Sequence, residues 1–293
     1  MKEMTQKDRL DYLVETFKEE SVRYRDLKTP EDTEGKKRVL RSLMNIRMPR
    51  RMDARVTEVQ DEYLKERIRE NGIVTLSDIP TIADQGSTHA FADHISIWQG
   101  DITRLAVDAI VNAANSQMLG CFVPMHTCID NCIHTFAGIQ LRAECNRQMN
   151  RLRAKYGPDY EQPTAVPMLT DGYNLPAKKV VHIVGPIVTG RLTKDLEKDL
   201  ADCYKNTLDL CLENDIRSVA FCCISTGVFH FPNRKAAEIA VRTVTDWLDR
   251  HSGSKERART ASASSSRTAH EMERVIFNVF KEEDKEYYEQ ELL

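Results

Sequence analysis

The sequence predicts an α/β protein, a three-layer α/β/α sandwich preceded by a helical extension. Three observations point there. From residue 94 onward, short apolar runs bounded by turns alternate with longer segments of helical period. Runs such as VAFCCI, 219 to 224, are apolar on both faces, as a sheet covered by helices on each side requires. Residues 1 to about 90 are charged and helical in pattern.

In the extension, RLDYLVETF places Leu10, Leu13, Val14 and Phe17 on one helical face. Thr29-Pro30-Glu31-Asp32 reads as a second helix start, with proline at the first helical position and acid in the first turn. Its continuation KRVLRSLMNIRM is amphipathic up to Pro49, and DEYLKERIRENG closes a third helix at Gly72. The boundary is expected near QGSTHAFAD, which divides the chain into an extension at 1–90 and a sandwich at 91–293. In the sandwich, strands are predicted at 94–98, 107–113, 165–169, 179–184, 218–224 and 274–280. Helices are predicted at 129–149, 194–213, 233–250 and 282–292. The Ser/Ala/Arg-rich stretch 251–270 lacks an apolar period and is expected to be a disordered surface insert.

A hydrophobic content of 41% supports a real core, and a net charge of −3 predicts neither a nucleic-acid partner nor a membrane partner. MKEMTQKDRL lacks a signal-peptide core, and VVHIVGPIV is too short to span a bilayer. A soluble, cytoplasmic protein is expected. Its eight cysteines show no framework spacing, which favours reduced thiols and metal ligands over disulfides.

Chemistry concentrates in GCFVPMHTCIDNCIHTFAG, 120 to 138. Cys121, His126 and Cys128 are spaced by five and two, which no helix can gather on one side, whereas a loop containing Pro124 can wrap an ion. Two thiolates and an imidazole suit zinc, with sulfur at about 2.3 Å, nitrogen at about 2.0–2.1 Å and a fourth position open. Cys132 and His134 compete for ligation. Cys132 borders the apolar stripe Ile129, Ile133 and Phe136, which suits a core thiol, but as a fourth ligand it would close the site. Further on, ISTGVF, 224 to 229, joins a strand to a helix, where backbone N–H groups can cradle a diphosphate and Gly227 permits close approach. GPIVTGRLT has Arg191 and Leu192 where a P-loop needs Lys and Ser/Thr, which argues against nucleotide triphosphate hydrolysis.

GDIT (100 to 103), VDAIVNAANSQMLG (107 to 120), CIDNCIHTFAG and ISTGVFHFP together resemble the macrodomain family of ADP-ribose binders and hydrolases. The loop GCFVPMHTC is similar to that of its zinc-containing, MacroD-like branch, and the helical extension resembles the one preceding those members. The resemblance implies a mixed central sheet. Asp101 would accept from the adenine amino group beside the Ile102 backbone, while Ser225, Thr226, Gly227, Val228 and Phe229 would wrap the diphosphate and the distal ribose. Asn115 would hold hydroxyls of that ribose, Cys121, His126 and Cys128 would hold Zn2+ beside it, and Asp130 would position or activate water. Asp130 and Asn115 thereby form the implied catalytic set.

Two departures accompany the match. The Gly-rich loop of related hydrolytic members is replaced by the Cys/His loop, and His230-Phe231 replaces Gly-Tyr. The implied activity is zinc-dependent removal of mono-ADP-ribose from protein carboxylates, with ADP-ribose and an ADP-ribosylated protein as partners. The rivals are an ADP-ribose-binding module without hydrolysis, an O-acetyl-ADP-ribose deacetylase, and a structural zinc domain.

Overall fold

The computed structural model describes residues 4–252 and 272–293. Three helices come first, α1 (Gln6–Glu19), α2 (Thr33–Ile46) and α3 (Ala54–Asn71). The α1 stripe Leu10, Leu13, Val14 and Phe17 is buried with Leu40, Leu43, Val59 and Leu64 in a core of the extension's own. Each such side chain contributes about 1.5–3 kcal/mol when fully buried. Thr5 and Asp8 form a capping box on α1, and Gly72 ends α3 at φ +81°. The start of α2 differs from expectation. Asp32 is its N-cap, accepting from Gly35 N at 2.7 Å, and Pro30 lies outside the helix. A carboxylate that satisfies an orphan amide outweighs the preference for proline at the first position.

Six strands form the sheet: β2 (Ile95–Gln99), β4 (Ala109–Ala114), β5 (Met168–Asp171), β6 (Lys179–Val184), β7 (Ser218–Phe221) and β8 (Arg274–Val279). A separate short ladder pairs β1 (Val74–Thr75) with β3 (Leu105–Ala106). The main order is β2-β8-β7-β4-β6-β5, parallel throughout except for antiparallel β5, so the sheet is mixed. The apolar faces of β4, β6, β7 and β8 are almost wholly buried, as their two-sided hydrophobicity predicts. Helices α4 (Ile129–Ala137) and α5 (Ile139–Tyr156) pack together and against β4 and β5 respectively. Then α6 (Lys194–Glu213), α7 (Asn233–Ser252) and α8 (Glu282–Leu292) pack in sequence, α6 on β6 and α8 on β2 and β8.

The predicted helix 129–149 is two helices. Gly138 breaks it at φ +94°, where an added Cβ would lie 2.8 Å from the Gln140 and Gln60 amides. The strand predicted at 165–169 starts later, at Met168, because Pro167 has no N–H for the ladder. β7 stops at Phe221, short of the predicted 224. Ile79 and Ile82 are buried in the core of the sheet unit, ahead of QGSTHAFAD. Of the stretch 251–270, His251 and Ser252 close α7, and the rest lies outside the described residues.

The topology opens a crevice at one edge. From β4 the chain passes to β6 on one side and later to β7 on the other, the switch point at which ligands bind beyond the strand ends. The β4–β6 ladder runs from Ala109 to Ala114, whereas β4 and β7 are registered only at Ala109–Val219 and Ile110–Ala220. The loops after β2, β4 and β7 follow the ends of these strands. No helix among the described residues is long and apolar enough to cross a membrane.

Candidate active site

After β2, Asp101 caps the 3-10 turn Ile102–Arg104. Its Oδ1 accepts from Thr103 N at 3.0 Å and Thr103 Oγ1 at 2.7 Å, so both bonds fall on one carboxylate oxygen. Ile102 is buried below it. Asn278 of β8, which the sequence reading passed over, fixes this turn by donating to Gly100 O at 2.9 Å.

After β7, the diphosphate candidate is shaped by the main chain. Ser225 and His230 take φ +65° and +57°, Phe231 N donates to Ser225 O at 3.0 Å, and His230 N donates to Gly227 O at 3.1 Å. Phe229 O accepts from Val188 N at 2.9 Å, which ties the loop to the segment after β6. Among the described residues no acceptor meets the N–H groups of Gly227, Val228 or Phe229. Consecutive amides without an internal partner are groups that an anion could satisfy. A Cβ on Gly227 would meet nothing within 4 Å, so the space on that side of the residue is open. Thr226 turns inward, its hydroxyl donating to Cys223 O at 3.0 Å.

Between β4 and α4 runs the metal candidate. The ligand atoms of Cys121, His126 and Cys128 all lie within 4.8 Å of one another, and Cys121 Sγ is 3.7 Å from His126 Nδ1. Zinc held tetrahedrally by such a pair sets sulfur and nitrogen about 3.6 Å apart. The set therefore fits zinc in both chemistry and spacing. Cys128 also begins α4, its Sγ accepting from Asn131 N at 3.5 Å. Burial, reinforced by Cys121 and Asp130, pushes its thiol up to about 12. Cys132 lies outside this group, and its Sγ is 3.6 Å from the Arg41 guanidinium. Asn115 stays in the turn that enters the loop, accepting from Gln117 N at 3.1 Å and donating to Gly120 O at 3.3 Å.

Asp130, the second residue of α4, is 5% exposed. Burial raises its carboxyl to about 6, against the pull of the Asn112 hydrogen bond and the Arg142 charge. Asn112 Nδ2 donates to its Oδ1 at 2.8 Å, so this side chain points into the sandwich and leaves capping to Cys128. A carboxyl poised near neutrality suits proton transfer. Beneath it lie buried His134 and His182, with ring centroids 5.8 Å apart. His134 and His182 also form a second group of possible ligands with Cys145. Both nitrogens of His182 are engaged, Nδ1 with Asn112 at 3.0 Å and Nε2 with Thr170 Oγ1 at 3.0 Å, which ties His182 into a core network, whereas neither ring nitrogen of His134 has a hydrogen-bond partner among the described residues. Sequence spacing could not bring together Asn112, Asp130 and His182.

A three-layer sandwich with a mixed sheet, a switch point at β4 and a loop that gathers Cys121, His126 and Cys128 defines the class. The chain belongs to the macrodomain family, and residues 111–240 match the Macro domain itself. It is 45% identical to the protein-ADP-ribose hydrolase of Treponema medium over 285 residues, 97% of this chain and 98% of that one. A Trypanosoma brucei macrodomain solved in complex with ADP-ribose is 27% identical with a TM-score of 0.59, covering 83% of this chain and 92% of its own. An Oceanobacillus iheyensis macrodomain solved with ADP is 32% identical with a TM-score of 0.56, covering 69% and 92%.

Proposed function

We propose that this protein is a zinc-dependent hydrolase that removes mono-ADP-ribose from protein carboxylates. The observation that carries the reading is one helix start: Cys128 of the metal set and Asp130 stand two residues apart at the beginning of α4. The name of the Treponema medium relative supports the reaction class, and its alignment spans nearly the whole of both chains.

In this reading the amides of Gly227, Val228 and Phe229 hold the diphosphate, and Asp101 receives the adenine amino group. Cys121, His126 and Cys128 would hold zinc, which when bound would supply polarisation of a distal-ribose hydroxyl or of the ester oxygen, moderated by the two thiolates that would cancel its formal charge. Asp130, steadied at Oδ1 by Asn112, takes the proton of the attacking water at Oδ2. Water oxygen bonds to the carboxyl carbon, the bond between that carbon and the ribose oxygen breaks, and Asp130 returns the proton it took to the leaving ribose oxygen. Asn115 orients the ribose from the turn that leads into the metal loop.

The test combines metal analysis with an assay of ADP-ribose release from carboxylate-linked and serine-linked proteins. Bound zinc with release from the carboxylate ester supports the reading. ADP-ribose binding without release from either linkage would identify a binding module instead.

A further inference from the structure

We infer that α2 of the extension supports the metal loop, with Arg41 and Asn45 as positioning residues that set the turn presenting His126 to Cys121 and Cys128. This rests on the zinc reading above and assigns α2 a task beyond packing.

The loop has little structure of its own. From 121 to 128 its only internal backbone bond among the described residues is His126 N to Val123 O, at 3.2 Å. Met125 takes φ +58°, a conformation that side-chain-bearing residues disfavour and that surrounding contacts must hold. One such contact is Asn45, whose Oδ1 accepts from Met125 N at 3.1 Å. Asn45 is 1% exposed, and its Nδ2 donates to Thr135 Oγ1 of α4 at 3.0 Å, so both ends of its amide are committed.

Arg41, one turn earlier on α2, holds the next residue. Its Nη2 donates to His126 O at 2.8 Å and to Asn131 Oδ1 at 2.9 Å. Asn131 Nδ2 in turn donates to Val123 O at 2.9 Å. The residues on either side of the His126 turn are thus fixed by one arginine, directly and through one asparagine. Arg142 of α5 locks the arrangement, donating to Asn45 O at 2.8 Å at the end of α2 and to Leu119 O at 2.7 Å at the loop entrance. Groups that orient metal ligands typically change affinity about 10–100-fold when removed.

The test uses the full chain with R41A, N45A and R41K, and R38A on the exposed side of α2 as control. Three readouts apply: zinc affinity by competition with a chromophoric chelator, the visible spectrum of the cobalt(II)-substituted protein, and amide hydrogen exchange of residues 121–128 without metal. N45A and R41A are expected to weaken zinc about 10–100-fold, alter the cobalt spectrum and speed exchange in the loop. R38A is expected to match wild type, and R41K, which keeps the charge but loses the planar guanidinium, to fall between. Unchanged affinity, spectrum and exchange in N45A and R41A would overturn the inference. If the alanine variants fail to fold, R41K decides, and wild-type values for it overturn the inference. A wild-type chain that binds no zinc sinks the zinc reading separately, and loop exchange then decides whether α2 supports the loop.

Discussion

The loop after β7 and the loop between β4 and α4 follow neighbouring strands of the sheet but are held in different ways. The first is fixed by its own backbone, with Phe231 N on Ser225 O and His230 N on Gly227 O, and by Val188 from the neighbouring strand end. The second depends on side chains from elsewhere: Arg41 and Asn45 of the extension, Asn131 of α4 and Arg142 of α5. A loop that presents amides to an anion needs only local turn geometry. A loop that presents three side chains to one ion needs each backbone segment oriented from outside. The extension therefore belongs to the same functional unit as the sandwich in this account.

The first way to break the comparison is to separate chemistry from binding. Asp130→Asn keeps the size of the side chain and removes its ability to take a proton, so turnover should fall about 10²–10⁴-fold while ADP-ribose affinity measured by calorimetry stays near wild type. An unchanged rate would make Asp130 structural. Gly227→Val acts on the other loop. A side chain there meets open space, so the protein should fold normally, while ADP-ribose affinity falls about tenfold or more as the approach to the amides is blocked.

The core beneath both loops gives a pH signature. Burial lowers His182 to about 3 and His134 well below its usual range, so the unfolded chain takes up these protons near pH 6.5 and the folded chain does not. Their contribution to stability is complete above about pH 6.5 and falls with acid, by about 1.4 kcal/mol per pH unit for each histidine. Asp130 acts oppositely. Raised to about 6, it binds its proton first in the folded state and offsets one of these slopes between about pH 6 and 4. Urea unfolding at pH 7, 6 and 5 should show wild type losing stability faster than His182→Gln. Parallel pH dependence of the two would contradict the buried neutral assignment. The smallest effect is expected from Asp32→Ala, which removes the α2 cap. It should cost about 1 kcal/mol in thermal unfolding and raise hydrogen exchange in the metal loop more than in 225–229.

Much of this was legible in the sequence because period and punctuation are local. The strand at 179–184 and the helices at 194–213 and 282–292 fall where their apolar patterns place them. The break at Gly138 was hidden because the apolar stripe continues through it, and only the packing of Gln60 and Asn174 against that glycine reveals the turn. The β1–β3 ladder is two residues long on each side, too short for alternation to register. Motif order identified Cys121, His126, Cys128 and Asp130, and the structure gathers the first three within ligand distance. His182 and Arg142 escaped notice because they meet Asn112 and the metal loop across longer stretches of chain, and spacing alone could not decide the role of Asn112. Asp130 itself is buried, which moves its carboxyl toward neutrality.

The central claim is tested most directly by measuring ADP-ribose release from a carboxylate-modified protein before chelation, after it, and after adding zinc back. The account predicts about one zinc per chain, loss of release when it is stripped, recovery on re-addition, and no recovery in Cys121→Ala. Full release from protein shown to contain no metal would contradict it.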